Sequence, residues 1–323
     1  MHPVIKIILQ RLALGAFSLL AVSVVIFSAM EMLPGDYARS ILGQSATPEA
    51  VAQLRRELAL DQPAPKRYLR WLSGAARGDF GTSFSGRGEG AGRPVASLVL
   101  PRLANTLTLA ALAAALAIPL ALGLGLLAAM NRGRLADKAL NTLALMLAAM
   151  PEFLIAYVLI YWLSARAGVL PPLANINAGM GWGETLERLI MPVLTLSAVV
   201  MAHILRMTRA SVSELFGRPW METALLKGLP RARRVTHHAL PNAWGPVVNV
   251  LAFNIAWLIT GVVVTEVVFV YPGIGQLMVD AVRARDIPVV QACALIFAAV
   301  YIGLNLLADI IAIITNPRLL HPK

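Results

Sequence analysis

Six runs of apolar side chains, each about long enough to cross a bilayer, constrain this chain more than anything else in it. The hydrocarbon core of a membrane is about 30 Å thick, so a crossing helix needs about 20 mostly apolar residues. Such runs occupy residues 8–30, 104–130, 139–164, 188–206, 246–270 and 288–314. The fourth is the weakest, with His203 and Arg206 at its end. Composition agrees: 58% of the 323 residues are hydrophobic and 14% are charged, with a mean hydropathy of +0.70. A soluble domain carries about 45–50% apolar and about 25% charged residues. Lipid offers the backbone no hydrogen-bond partners, so runs of this kind are helices. The expected fold class is all-α, a polytopic membrane protein with six transmembrane helices. The first run exceeds the apolar core of a signal peptide, and Ser28-Ala29-Met30 is a poor cleavage site. It is expected to remain as a span.

The basic residues orient these spans, because short cytoplasmic loops collect Lys and Arg. With the N-terminus inside, the cytoplasmic side holds Lys6, Arg11, Arg132, Arg134 and Lys138. It also holds Arg206, Arg209, Arg218, Lys227, Arg231, Arg233, Arg234, Arg318 and Lys323. The short outer loops hold only Arg166, Arg188, Arg283 and Arg285. Both termini, including the tail 315–323, are therefore expected in the cytoplasm. The net charge of +11 is largely accounted for by this bias, and no nucleic-acid partner is needed to explain it.

The first connection, residues 31–103, is long and expected outside. It opens on a turn, Leu33-Pro34-Gly35-Asp36. Thr47-Pro48 then reads as a helix start, with Thr as cap and Pro in the first position, and the helix runs to about Leu60. A second short helix fits Lys66–Ala76, and a Gly-rich surface loop covers 86–92. Arg55 and Arg56, on the first of these helices, are candidate contacts for a partner protein.

The cytoplasmic connection, residues 207–245, carries more information. Pro219 can open a helix and Gly228 can close it; Pro230 can open another and Pro241 end it. The first helix is expected to present Trp220, Ala224 and Leu225 on one apolar side. Seven basic residues from Arg206 to Arg234 suit either a protein groove or an anionic lipid surface.

Ionisable groups inside spans are functional candidates by default. Glu152, after Pro151, and Glu266 are candidates for lining a path or for pairing with a neighbouring helix; His203 and Asp309 read as interfacial groups or as hydrogen-bonding groups between helices. The single cysteine, Cys293, lies in an apolar run and builds neither a disulfide framework nor a metal site. No phosphate-binding Gly-Lys-Ser/Thr loop, zinc motif or catalytic constellation is present in the sequence. An ion-driven transporter and an intramembrane enzyme using Glu152 and His203 are the competing classes. Against the first, the last three spans show no clear duplication of the first three.

Glu222-Thr223-Ala224, three residues, Gly228, nine residues and His238-Ala239-Leu240-Pro241 resemble the Glu-Ala-Ala loop of ABC importer permeases. Thr replaces the first small residue and His238 the usual Ile. The resemblance extends over nearly the whole chain, to the peptide/nickel subfamily, through Leu33–Asp36, Gly78–Phe84, Thr208–Ser211, Lys227–Leu229 and Tyr271–Gly275. Glu222 stands where that subfamily often has a basic residue, and Pro241-Asn242 where it often has Arg-Asn.

The resemblance implies a type I ABC importer permease fold in a bacterial inner membrane. It implies a second, homologous permease subunit, two ATP-binding subunits that carry ATP and magnesium, and a periplasmic or lipid-anchored substrate-binding protein. This chain itself would bind no cofactor and hydrolyse no ATP. Contact with the ATP-binding subunits falls on Trp220, Glu222, Thr223, Ala224, Lys227, Gly228, Pro230, Arg231 and Pro241. The cargo classes of the subfamily are peptides, nickel chelates, glutathione and some sugars.

Overall fold

A chain surrounded by lipid must pair its backbone N–H and C=O groups within its own segments. The computed structural model accordingly shows helices almost throughout. It describes residues 3–32, 46–57, 61–85, 92–177, 179–230 and 233–315. In chain order the helices are α1 Pro3–Glu31, α2 Pro48–Glu57, α3 Ala64–Ala75, α4 Val95–Met130, α5 Leu135–Ala149 and α6 Glu152–Leu159. They continue with α7 Trp182–Leu215, α8 Pro219–Leu226, α9 Leu240–Phe269, α10 Ile274–Arg283 and α11 Ile287–Thr315. Wider π turns extend α6 over Ile160–Arg166 and precede α9 over Arg234–Ala239. Among the described residues the β pairing amounts to one bridge, Thr82 with Pro94.

Helices α1, α4, α7 and α11 are each long and apolar enough to cross a membrane. Two bent pairs, α5 with α6 and α9 with α10, bring the number of spans to six if each pair is one crossing. The expected spans at 8–30, 104–130 and 288–314 thus fall within continuous helices.

Three expected boundaries change. The run 139–164 is not one straight helix: α5 and α6 meet at 103°. Met150 and Pro151 are both extended there, because proline disfavours the α conformation in the residue before it and cannot continue the hydrogen-bond ladder. The run 188–206 does not stop at its polar end. Helix α7 continues to Leu215, burying Thr208, Val212 and Ser213. Its 34 residues make it about 51 Å long, about 20 Å more than the hydrocarbon core. The helix expected to end at Pro241 instead runs on into α9, with Pro241 in its first turn.

The chain divides into two compact units, one of residues 1–13, 107–271 and 303–323, the other of residues 14–106 and 272–302. In the first, α7 packs along α9, α5 and α6. A side chain on Gly125 would put its Cβ 2.9 Å from the Leu205 carbonyl oxygen and 2.9 Å from the Thr208 Cβ. Glycine is thus required where α4 crosses α7. Asp309 pairs with Arg11 at 2.9 Å, the inter-helix role expected of it.

In the second unit, Val95 and Val99 of α4, Ile274 and Ala281 of α10, and Val289 and Cys293 of α11 form a buried core. Asp286 is buried beside it and receives the Ser83 hydroxyl and the Phe84 and Ser85 N–H groups, the last two at 3.0 and 3.1 Å. Thr106 accepts the Ile274 N–H at 2.9 Å and Asn105 donates to the Pro272 carbonyl at 2.9 Å. Two side chains of α4 thereby satisfy backbone groups at the start of α10 that no helix could satisfy itself. Cap geometry also supports α2, where the Ala50 N–H donates to the Thr47 hydroxyl at 3.2 Å. The turn 33–36, the end of α2 at 58–60 and most of the Gly-rich stretch lie outside the described residues.

Candidate functional site

The loop between α7 and α9 begins where Arg218 turns extended and Pro219 starts α8. Proline costs nothing in that position, because the N–H it lacks would have no partner in the helix. The other end closes at Gly228, whose φ is +74°. The Gly228 N–H donates to the Leu225 carbonyl at 2.9 Å and the Leu229 N–H to the Ala224 carbonyl at 3.2 Å. These two bonds form a Schellman closure, which needs a left-handed residue at this place. The Arg234 Nε then donates to the Leu229 carbonyl at 3.1 Å and ties the next segment back to the turn. Pro219 opening and Gly228 closing the helix are as the sequence implies.

One side of α8 is anchored. Met221 is buried in a cluster with Ala129 of α4, Val212 of α7, Val235 and Ala239 of the π turns and Val247 of α9. The ends of three long helices therefore meet under this short one. Ala224 is also buried, at 7% exposure. The expectation that it shares an apolar side with Trp220 and Leu225 is corrected: a spacing of three residues puts Met221 and Ala224 on one inward face. The outward face carries Trp220, Leu225 and Leu226, the last 82% exposed, with Glu222, Thr223 and Lys227 beside them. Thr223 turns its hydroxyl back to the Pro219 carbonyl at 3.1 Å. Gly228 and Pro230 are exposed, and nothing lies within 4 Å of where a Cβ on Gly228 would be. Arg231 is outside the described residues, and of Pro241 the helical backbone alone is described.

Beside α8 stands a brace that sequence reasoning missed. Arg209 of α7 makes two hydrogen bonds to the carboxylate of Asp137 in the first turn of α5, the Nη2 bond at 2.9 Å. Asp137 is 3% exposed and also accepts the Gly133 N–H at 2.9 Å. Arg132 donates to the Ser213 carbonyl at 3.1 Å. The connection between α4 and α5 is thus fastened to the projecting part of α7. The available signal was Arg209, in the family-like stretch Thr208–Ser211, with an acidic residue just ahead of the third apolar run.

Of the acidic residues inside spans, Glu152 opens α6, where a carboxylate is favoured by the helix dipole. It is half-buried and accepts the Thr265 hydroxyl of α9. A Cβ on Gly261, one turn away, would sit 3.4 Å from its other oxygen. Glu266 is 0% exposed, so in this structure it faces packed side chains rather than an open surface. Thr265, which donates to Glu152, is the residue before Glu266 in α9. His203 lies against Trp257, ring centres 6.5 Å apart, and Asn254 donates to the Val250 carbonyl of its own helix at 2.8 Å. Arg55 and Arg56 are exposed in the last turn of α2.

Residues 121–321 match the family described as the binding-protein-dependent transport system inner membrane component, and residues 4–110 match its N-terminal membrane component. This chain belongs to that family. It is 36% identical over 312 residues to a probable peptide ABC transporter permease protein, y4tP, of Sinorhizobium fredii, covering 97% of this chain and 98% of that one. It is 35% identical to the dipeptide transport system permease protein DppB of Escherichia coli, over 99% and 100% of the two chains. To the glutathione transport system permease protein GsiC of Escherichia coli it is 35% identical, over 94% of each.

As a member, the chain is a multi-pass inner-membrane permease subunit of an ABC importer, and a transport subunit rather than an enzyme. Such an importer works with ATP-hydrolysing and substrate-binding partners.

Proposed function

We propose that this chain forms half of a path for di- or oligopeptides, or a related solute such as glutathione, beside a second, non-identical permease subunit. In this reading α8 receives the movement of the two ATP-binding subunits, which hold ATP and magnesium, and passes it into the spans. The observation that carries it is the two-sidedness of α8: Met221 is locked under the ends of α4, α7 and α9, while Trp220, Leu225 and Leu226 face outward. A short helix capped by proline and a Schellman turn moves as a body, so a push on its outer face reaches three long helices together. Glu222, Thr223, Lys227 and Pro230 flank that face or the turn that closes it, and the family resemblance assigns Arg231 and Pro241 to the same contact.

Both termini lie in the cytoplasm, on the side to which the basic loops belong. The substrate-binding protein docks on the opposite side, with exposed Arg55 and Arg56 of α2 among its contacts. Glu152 lines the path at the break between α5 and α6. Glu266, being fully buried, serves the path through the packing of α9.

Uptake of a labelled dipeptide into vesicles holding all four membrane-associated subunits, with the binding protein supplied, tests this. Uptake is expected to require ATP and every subunit. Uptake driven by an ion gradient without the ATP-binding subunits would overturn it.

A further inference from the structure

Helix α3 belongs to the long outer connection, yet its contacts lie along a membrane span. Tyr68 shares a hydrogen bond of 2.8 Å with Ser23, a fully buried residue of α1. Phe27 meets Tyr68 edge-on, ring centres 5.5 Å apart, and Trp71 at 6.1 Å. Arg67 pairs with Glu31, the last residue of α1. At 1.5 Å per residue, Phe27 lies about 6 Å and Ser23 about 12 Å below Glu31. Glu31 ends the apolar run of α1, so α3 crosses α1 below the level where that run stops.

We propose that α3 lies in the membrane interface, in the leaflet where α1 ends, with phospholipid covering its outer face. An interfacial helix sits about 5–10 Å into the boundary between headgroups and acyl chains, which is the depth of Phe27. The side chains fit that place. Tyr68 and Trp71 are the amphipathic aromatics that favour this level. On the side away from α1, Leu69 is 64% exposed, flanked by exposed Lys66 and Arg70. Leu69 would enter the acyl region, while the two cations extend along it to lipid phosphates. Lipid is favoured over protein as the cover because α1 itself is open: only 6% of its apolar window is buried within this chain.

The test uses the assembled transporter in vesicles of phosphatidylethanolamine and phosphatidylglycerol. A nitroxide is attached at Leu69→Cys, with wild type, whose Cys293 is buried, as the labelling control. Collisions with oxygen, which enters lipid, are compared with those of a water-soluble nickel chelate. Oxygen is expected to exceed the chelate severalfold. A chelate rate equal to or above that of oxygen would place α3 in water and overturn the proposal. Neither reagent reaching the label would mean a protein cover and would overturn it equally. A second measurement needs no label. Quenching of tryptophan fluorescence by lipid brominated near the headgroup should fall in Trp71→Phe relative to wild type; an unchanged quenched fraction contradicts the interfacial position.

Discussion

At a φ of +74°, Gly228 sits where an L side chain costs about 1–2 kcal/mol. Space is not the obstacle, since nothing lies within 4 Å of a Cβ built there. The cost is conformational alone, which makes it measurable in isolation. In Gly228→Ala, hydrogen exchange of the Gly228 and Leu229 amides is expected to quicken about tenfold, the equivalent of about 1.4 kcal/mol. Gly228→Asn should quicken it less, because Asn tolerates the left-handed region. Equal exchange in wild type and Gly228→Ala would mean that the turn does not depend on this angle. Val270 and Arg285 adopt the same region with side chains, at φ 54° each. Nothing in their identity foretold this. A glycine advertises a left-handed turn, whereas a valine in one is held there by its surroundings and carries no mark of it in its own letter.

Helix α7 matters as an element because it is too long for the membrane. Its last turns continue beyond the apolar run 188–206, and Arg209 there is fastened to Asp137 of α5. A charge left behind when one partner of a buried pair is removed is costly. Arg209 is 28% exposed, so water softens the loss. Asp137→Asn is therefore expected to cost about 2 kcal/mol of stability, seen as a lower thermal midpoint, with Arg209→Gln in the same chain recovering part of it. A fully additive double variant would show that the two side chains do not act as a pair.

Legibility divides along the same lines. Apolar length predicted the helices that stand alone in lipid. Pro219 and Gly228 predicted α8 because both act through their own backbones. The inward turn of Ala224, the 103° break at Pro151 and the carriage of α7 past residue 206 depend on what packs against them, which a run of letters does not contain. Helix α10 was legible and missed: Ile274, Leu277, Met278 and Ala281 recur at helical spacing, but only ten residues carry the signal. The pair of Asp137 with Arg209 joins residues 72 apart in sequence, and only the fold brings them together.

On the scale of the whole molecule, the family-like stretches gather in different units for different reasons. Gly78–Phe84 and most of Tyr271–Gly275 build the second unit, where Asp286 and Thr106 hold their backbones. The loop 219–241 belongs to the first, where three long helices end beneath α8. That gathering is what a subunit needs if force enters at one short helix and leaves through several spans. The most direct measurement of this claim is photo-cross-linking from Leu226→Cys, at the exposed tip of α8, in membranes containing all partners. A product with an ATP-binding subunit is expected that is absent from wild type and from Leu69→Cys. Cross-linking of Leu226→Cys to lipid alone, in a transporter that still imports, would contradict it.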